Sequence, residues 1–256
     1  MYCTNNVTPC SSRTIFVLIQ ETIELIARND AEKGLKLYVE AAAFADRNVT
    51  AKVVDGTDMA AISYELLRLA MTLYEDRITD VKCQCRCITS FSGTILALKS
   101  VSKENYESLI TRTAQFAAKI ALKPEQCQLV ALCASLFYPA DNGGQTKYSN
   151  PQRALECLQR SLKLADACTT ANPACVTLFV DLLEHYLYFF EKKNPLITHA
   201  YITGLIALIN EHLNSMNAIG NDKEAKAHFV EVIRYIKKKK MDSSDVSEMF
   251  SKIQIS

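Results

Sequence analysis

The chain has 256 residues, with 29 Lys and Arg against 28 Asp and Glu, a formal charge of +1. That balance excludes a global field favouring nucleic acid or an anionic membrane, and no run reaches the ~18 to 20 apolar residues of a membrane-spanning helix. Seven glycines, six prolines and no sustained period-2 alternation exclude a sheet protein; apolar residues recur three and four apart along nearly every segment, so the fold is expected to be all α. Ten cysteines would suit a disulfide scaffold in a short secreted chain, but no basic-then-apolar leader opens the sequence, so the reading is a reducing cytosol with thiols used in packing. Asn6 and Asn48 begin glycosylation sequons, which are read as chance in that compartment.

In chain order, residues 1–10 are expected to be a flexible tail and 11–240 a single α-solenoid domain, followed by a serine-rich flexible tail over 241–256. Ten helices are expected: 11–28, 30–47, 57–78, 80–99, 103–122, 124–138, 151–168, 173–193, 195–216 and 221–239. Short connections make neighbours antiparallel.

Near the end of the third helix, Glu75, Asp76 and Asp80 cluster where acids oppose a helix dipole. The fourth helix shows the stripe Val81, Cys85, Ile88, Ile95 and Leu98. It also carries Cys83, Cys85 and Cys87. At about 100° per residue only Cys83 and Cys87 share a face, and two thiolates do not close a tetrahedral zinc site. Lys119 and Lys123 form a basic counterpart near another helix end, and acidic and basic patches of this kind can meet across a two-fold axis. Pro139 to Ser149, with Gly143 and Gly144 among polar residues, reads as an exposed flexible loop open to proteolysis.

Asn150-Pro151, Asn172-Pro173 and Asn194-Pro195 recur every 22 residues. Asn is a strong N-cap and Pro suits the first helical position, so each pair is expected to open a helix. Two steps span 44 residues, inside the roughly 40 to 47 of a HEAT or armadillo repeat, whereas the Trp-bearing tetratricopeptide signature is absent from a chain with no Trp. The eighth helix carries a wide stripe (Val176, Phe179, Val180, Leu183, Leu187, Phe190) and the ninth is apolar on two sides, the mark of helices held between neighbours. Tyr186, Tyr188, Phe189 and Phe190 follow His185 so closely that some must meet a second neighbour or a partner. Lys237 to Lys240 read as a solvated helix end. His185, His199, His212 and His228 match no zinc spacing, and neither a phosphate loop nor a nucleophile elbow occurs, so no enzyme, metal or cofactor is expected.

The segments Leu73-Tyr74-Glu75-Asp76-Arg77-Ile78-Thr79-Asp80, Cys133 to Tyr138, Glu156-Cys157-Leu158 with Leu162-Lys163, and Tyr186 to Lys192 resemble, in order and spacing, the C-terminal region of the large vacuolar protein sorting subunit of retromer, subunit 35. The similarity runs from about Arg13 to Ile236. The resemblance implies a HEAT-like α-solenoid of antiparallel helix pairs. It implies a non-catalytic scaffold that binds the metallophosphoesterase-fold retromer subunit over its inactive metal cleft and sorts transmembrane cargo out of endosomes. It further implies a cytoplasmic protein, peripheral on the endosomal membrane through sorting nexins, and a weak homodimer using Glu75, Asp76, Lys119 and Lys123; Asp80 aligns with a functionally sensitive aspartate. The chain departs from the family where Arg77 replaces a further acid and Leu122 a base. The family's Pro-Arg-Leu-Tyr-Leu motif, which docks the arrestin-like subunit, is not present, so a C-terminal fragment or shortened relative is expected. A helical-repeat adaptor of another trafficking coat is the alternative.

Overall fold

The computed structural model describes residues 11–48, 58–139, 148–216, 223–241 and 245–255. All regular structure among them is helical: α1 (Ser12–Asn29), α2 (Ala31–Arg47), α3 (Met59–Arg77), α4 (Val81–Ala97), α5 (Lys103–Ala118), α6 (Lys123–Phe137), α7 (Pro151–Ala171), a 3-10 turn (Pro173–Val176), α8 (Thr177–Glu191), α9 (His199–Met216), α10 (Lys223–Met241) and α11 (Asp245–Ser251). Helices pack mainly on sequence neighbours, the construction of an α-solenoid. Where one domain over 11–240 was expected, the chain divides into two compact units, Met1–Leu109 and Ile110–Ser256. The expected N-terminal tail and most of the 139–149 loop lie outside the described residues.

In the first unit the helix starts follow from side chains that accept otherwise orphaned amides. Ser11, Asp30, Asp58 and Asp80 each take the N–H of the residue three positions on. Asp30 alone joins α1 to α2, its own N–H closing α1 on the Ile26 carbonyl at 3.0 Å. The two helices touch so closely that a Cβ on Gly34 would lie 2.5 Å from that of Ala27. The core fills from Ile23, Leu35, Tyr38, Leu67 and Met71, and Tyr74 meets Phe91 edge-on at 6.0 Å. On α4 the buried face is Cys83, Cys87, Ile88, Phe91 and Ile95, while Val81, Cys85 and Leu98 are only half-buried. The expected stripe is therefore rotated toward the smaller thiols, which admit close approach to α2.

Two polar devices fasten this unit. Glu32 on α2 receives Arg86 of α4 in a bidentate pair at 2.8 and 2.9 Å, and Lys36 at 3.1 Å. Arg86, then Cys83 and Lys36, holds the Glu32 carboxyl down to about 2. Asp46 is 5% exposed and accepts the N–H groups of Lys99 (2.9 Å) and Ser100 (3.0 Å) together with the Ser100 hydroxyl, fixing the link from α4 to α5.

In the second unit α6 and α7 exchange a reciprocal pair: the Ser161 hydroxyl donates to the Cys127 carbonyl at 3.0 Å and the Cys127 thiol to the Ser161 carbonyl at 3.3 Å. Asn150 caps α7 through the Arg153 N–H at 3.0 Å, as its Asn-Pro pair predicts. The other two pairs differ. Asn172 opens a 3-10 turn before α8, through the Ala174 N–H at 3.1 Å. Asn194 opens no helix: it is buried, its oxygen accepts the Leu196 N–H at 3.0 Å, and α9 starts only at His199. The reason lies just upstream, where α8 ends on Lys193 at φ 56°, with Lys193 N–H on Phe190 O and Asn194 N–H on Phe189 O. This left-handed stop turns the chain before Pro195 is reached.

Helix α8 is the centre of this unit, as its wide stripe predicts: Phe179, Leu183, Tyr186 and Phe189 are fully or almost fully buried, and α6, α7, α9 and α10 all touch it. Of the aromatic run only Tyr188 reaches the surface. Beyond Met241, where a tail was expected, α11 forms instead. Phe250 and Ile253 are buried, Phe250 meets Phe190 at 5.5 Å, and the Gln254 N–H donates to Thr203 Oγ1 at 3.1 Å.

Candidate functional site

The acidic residues singled out in the sequence sit together on one corner of the first unit. Glu75 and Asp76 occupy the last turn of α3 and are exposed. Arg77 turns to the Arg28 carbonyl at 3.3 Å and so ties the end of α3 to that of α1. Three residues separate α3 from α4, and Gln84 closes this turn by donating to the Ile78 carbonyl at 3.0 Å. Asp80 sits on the same corner but acts inward, where its carboxylate accepts the Cys83 N–H at 2.8 Å and caps α4. Two acids placed against the carbonyl end of α3 gain nothing from its dipole.

The basic residues sit on one corner of the second unit, between α5 and α6. Lys119 is exposed just past the end of α5, its N–H on the Phe116 carbonyl at 3.0 Å. Lys123 is the first residue of α6, and its ammonium donates to Gln126 Oε1 at 3.1 Å. The Gln126 amide in turn donates to the Ala118 carbonyl, which Arg160 also approaches at 3.5 Å. Buried Gln126 thus aims Lys123 and satisfies the end of α5 in one step. Leu122 between the lysines is 48% exposed. Gln126, Arg160 and the Glu32–Arg86 pair give no signal in the sequence because each joins helices with no local pattern linking them.

Cys83, Cys87, Cys127 and Cys157 are held protonated. Burial pushes Cys87 and Cys127 up to about 12 and Cys157 to about 11, and Cys83 is raised by burial and by the neighbouring Glu32. Such thiols are poor nucleophiles and poor metal ligands at neutral pH. Among the described residues no group of three or more His, Cys, Asp or Glu converges as a metal site would require, and no helix is long and apolar enough to cross a membrane.

Comparison with known proteins gives one family. The family model described as Vacuolar protein sorting-associated protein 35 matches residues 4–212. Vacuolar protein sorting-associated protein 35B of Arabidopsis thaliana is 33% identical over 251 residues, covering 95% of this chain and 30% of that protein. Protein 35A of the same plant is 29% identical over 248 residues, 94% of the chain and 30% of the relative. Protein 35 of Schizosaccharomyces pombe is 29% identical over 207 residues, 80% of the chain and 24% of the relative. The chain spans less than a third of the length of the curated relatives it matches. With a family model covering most of its residues, the chain belongs to the Vacuolar protein sorting-associated protein 35 family.

Proposed function

We propose that this chain is a non-catalytic scaffold segment of retromer that holds the metallophosphoesterase-fold subunit during retrograde sorting of transmembrane cargo. The observation that carries this reading is the extent of the likeness: 33% identity runs through 95% of the chain rather than through one motif. A helical array that presents long surfaces from rigid pairs is suited to holding such a partner. On this reading the segment works in the cytoplasm at the endosomal membrane, which it reaches through sorting nexins rather than by its own insertion.

The same reading gives the two corners a role. Glu75 and Asp76 of one copy pair with Lys119 and Lys123 of a second, and such exposed pairs contribute about 0 to 1 kcal/mol each and so select geometry more than affinity. Asp80 acts through the corner's shape, because it caps the helix that follows the acids.

Calorimetric titration with the purified metallophosphoesterase-fold retromer subunit tests the reading. Stoichiometric binding supports it; a folded chain that gives no heat and no co-elution overturns it and leaves an adaptor of another coat. Reversing Glu75 and Asp76 to Lys should reduce self-association in sedimentation velocity while leaving the titration unchanged. Equal self-association of variant and parent would remove the corners from the contact.

A further inference from the structure

Helix α10 is flanked by two grooves of opposite character. On one side Glu184, Glu191 and Glu231 accompany Tyr188 and Tyr235, and every acid there already has a partner: Glu184 takes His228 at 3.0 Å, Glu191 takes the Tyr235 hydroxyl, and Glu231 takes Arg234. On the other side, between α9 and α10, lies a groove of about 540 Å³, bordered also by Ile255, whose lining contains no carboxylate among the described residues. Its floor is Leu213, Phe229, Val230 and Ile233, and its rim carries Lys226, Arg234 and Lys237, with the Asn214 amide opposite. Val230 is 47% exposed. Neither Lys226 nor Lys237 makes an ion pair among the described residues, whereas the guanidinium of Arg234 is already engaged.

Lys226, Val230, Ile233 and Lys237 follow one another at helical spacing on one face. The two lysines are 11 positions apart (237 − 226), about 16 Å along the helix axis. An extended peptide covers that distance in about five residues. We propose that this groove receives a short acidic segment of a partner protein, in which carboxylates flank one or two large apolar side chains. The carboxylates pair with Lys226 and Lys237 while the apolar side chains cover Val230 and Ile233. Charge complementarity selects the segment, because a basic or neutral one leaves both ammonium groups uncompensated beside an apolar floor. A recessed floor favours a peptide over a lipid surface, because an interfacial helix has to sink its apolar face into the headgroup boundary. The inference stands apart from the retromer reading, since it uses a different ligand.

The test is fluorescence anisotropy with a labelled hexapeptide carrying two leucines between two pairs of aspartates, titrated with the whole chain. Companion peptides replace the aspartates with serine or the leucines with alanine, and phosphatidylserine vesicles are assayed in parallel by co-sedimentation. The expected result is binding of the acidic apolar peptide at least about tenfold tighter than either companion, weakening as salt rises. Lys226→Glu with Lys237→Glu should weaken it about tenfold or more. Both lysines are exposed, so circular dichroism should show an unchanged fold; Val230→Ser, also at an exposed position, tests the apolar half separately. Absence of peptide binding, or equal binding by the charge-reversed chain, overturns the proposal. Binding to vesicles without binding to the peptide overturns it in favour of a membrane surface.

Discussion

Replacing Asp46 with alanine removes the acceptor that holds the link between α4 and α5. The carboxylate is 5% exposed and takes two backbone amides at 2.9 and 3.0 Å, from Lys99 and Ser100, plus the Ser100 hydroxyl. A hydrogen bond to a charged group contributes about 1.5 to 3 kcal/mol net, and because Lys99 is exposed its freed amide can reach water, so the low end applies: two such bonds give a loss of about 3 kcal/mol. That corresponds to a fall in Tm of roughly 6–12 °C for a chain of this size. Asp46→Asn keeps one acceptor oxygen and should lose about half as much. Urea denaturation followed by circular dichroism gives the stabilities, and hydrogen exchange at the Lys99 and Ser100 amides localises the effect. A loss below about 1 kcal/mol for Asp46→Ala would refute the argument that this carboxylate fastens the turn.

Other contacts carry expectations of the same kind. Arg86 and its neighbours hold Glu32 at about 2, below its ordinary value of about 4.3; its contribution is therefore full above pH ~4.3 and is lost as pH falls toward 2. Urea midpoints from about pH 2.5 to 7 should show a steeper acid decline for the parent than for Glu32→Gln, and parallel curves would refute it. Gly34→Ala should cost about 1–3 kcal/mol because its Cβ collides with Ala27, whereas Gly204→Ala, with nothing within 4 Å, should gain up to about 1 kcal/mol; thermal melts decide both. Lys193→Gly should stabilise by about 1 kcal/mol by relieving a left-handed lysine, measurable as a raised urea midpoint. Asp80→Ala should cost about 1 kcal/mol while Asp80→Asn costs little, since either side chain caps α4; equal losses in chemical denaturation would assign Asp80 a role beyond capping.

Helix positions were legible where a capping side chain and an apolar period coincide, as at Asp30, Asp58, Asp80 and Asn150. The Asn-Pro rule failed at Asn194 because the preceding stop is set by Lys193, a residue type that gives no warning of a left-handed conformation, whereas glycine there would have done so. The final helix was hidden by its length: Phe250 and Ile253 have helical spacing, but α11 is only seven residues long and its serine-rich approach resembles a tail. The acidic and basic corners were legible as charge clusters beside helix ends. What orients them was not: Gln126, Arg160 and Gln84 act across turns or between helices, and such contacts leave no period in the sequence.

The burial of Phe250 against Phe190 has a temporal side. Sixty residues separate the two rings (250 − 190), and at about 5–20 residues per second a ribosome needs several seconds to add that stretch. Until it does, the last turn of α8 lacks part of its cover, and Phe190 is open to whatever chaperone attends the emerging chain. A nascent chain stalled before Phe250 should therefore be protease-sensitive at the end of α8, and extension past α11 should restore resistance.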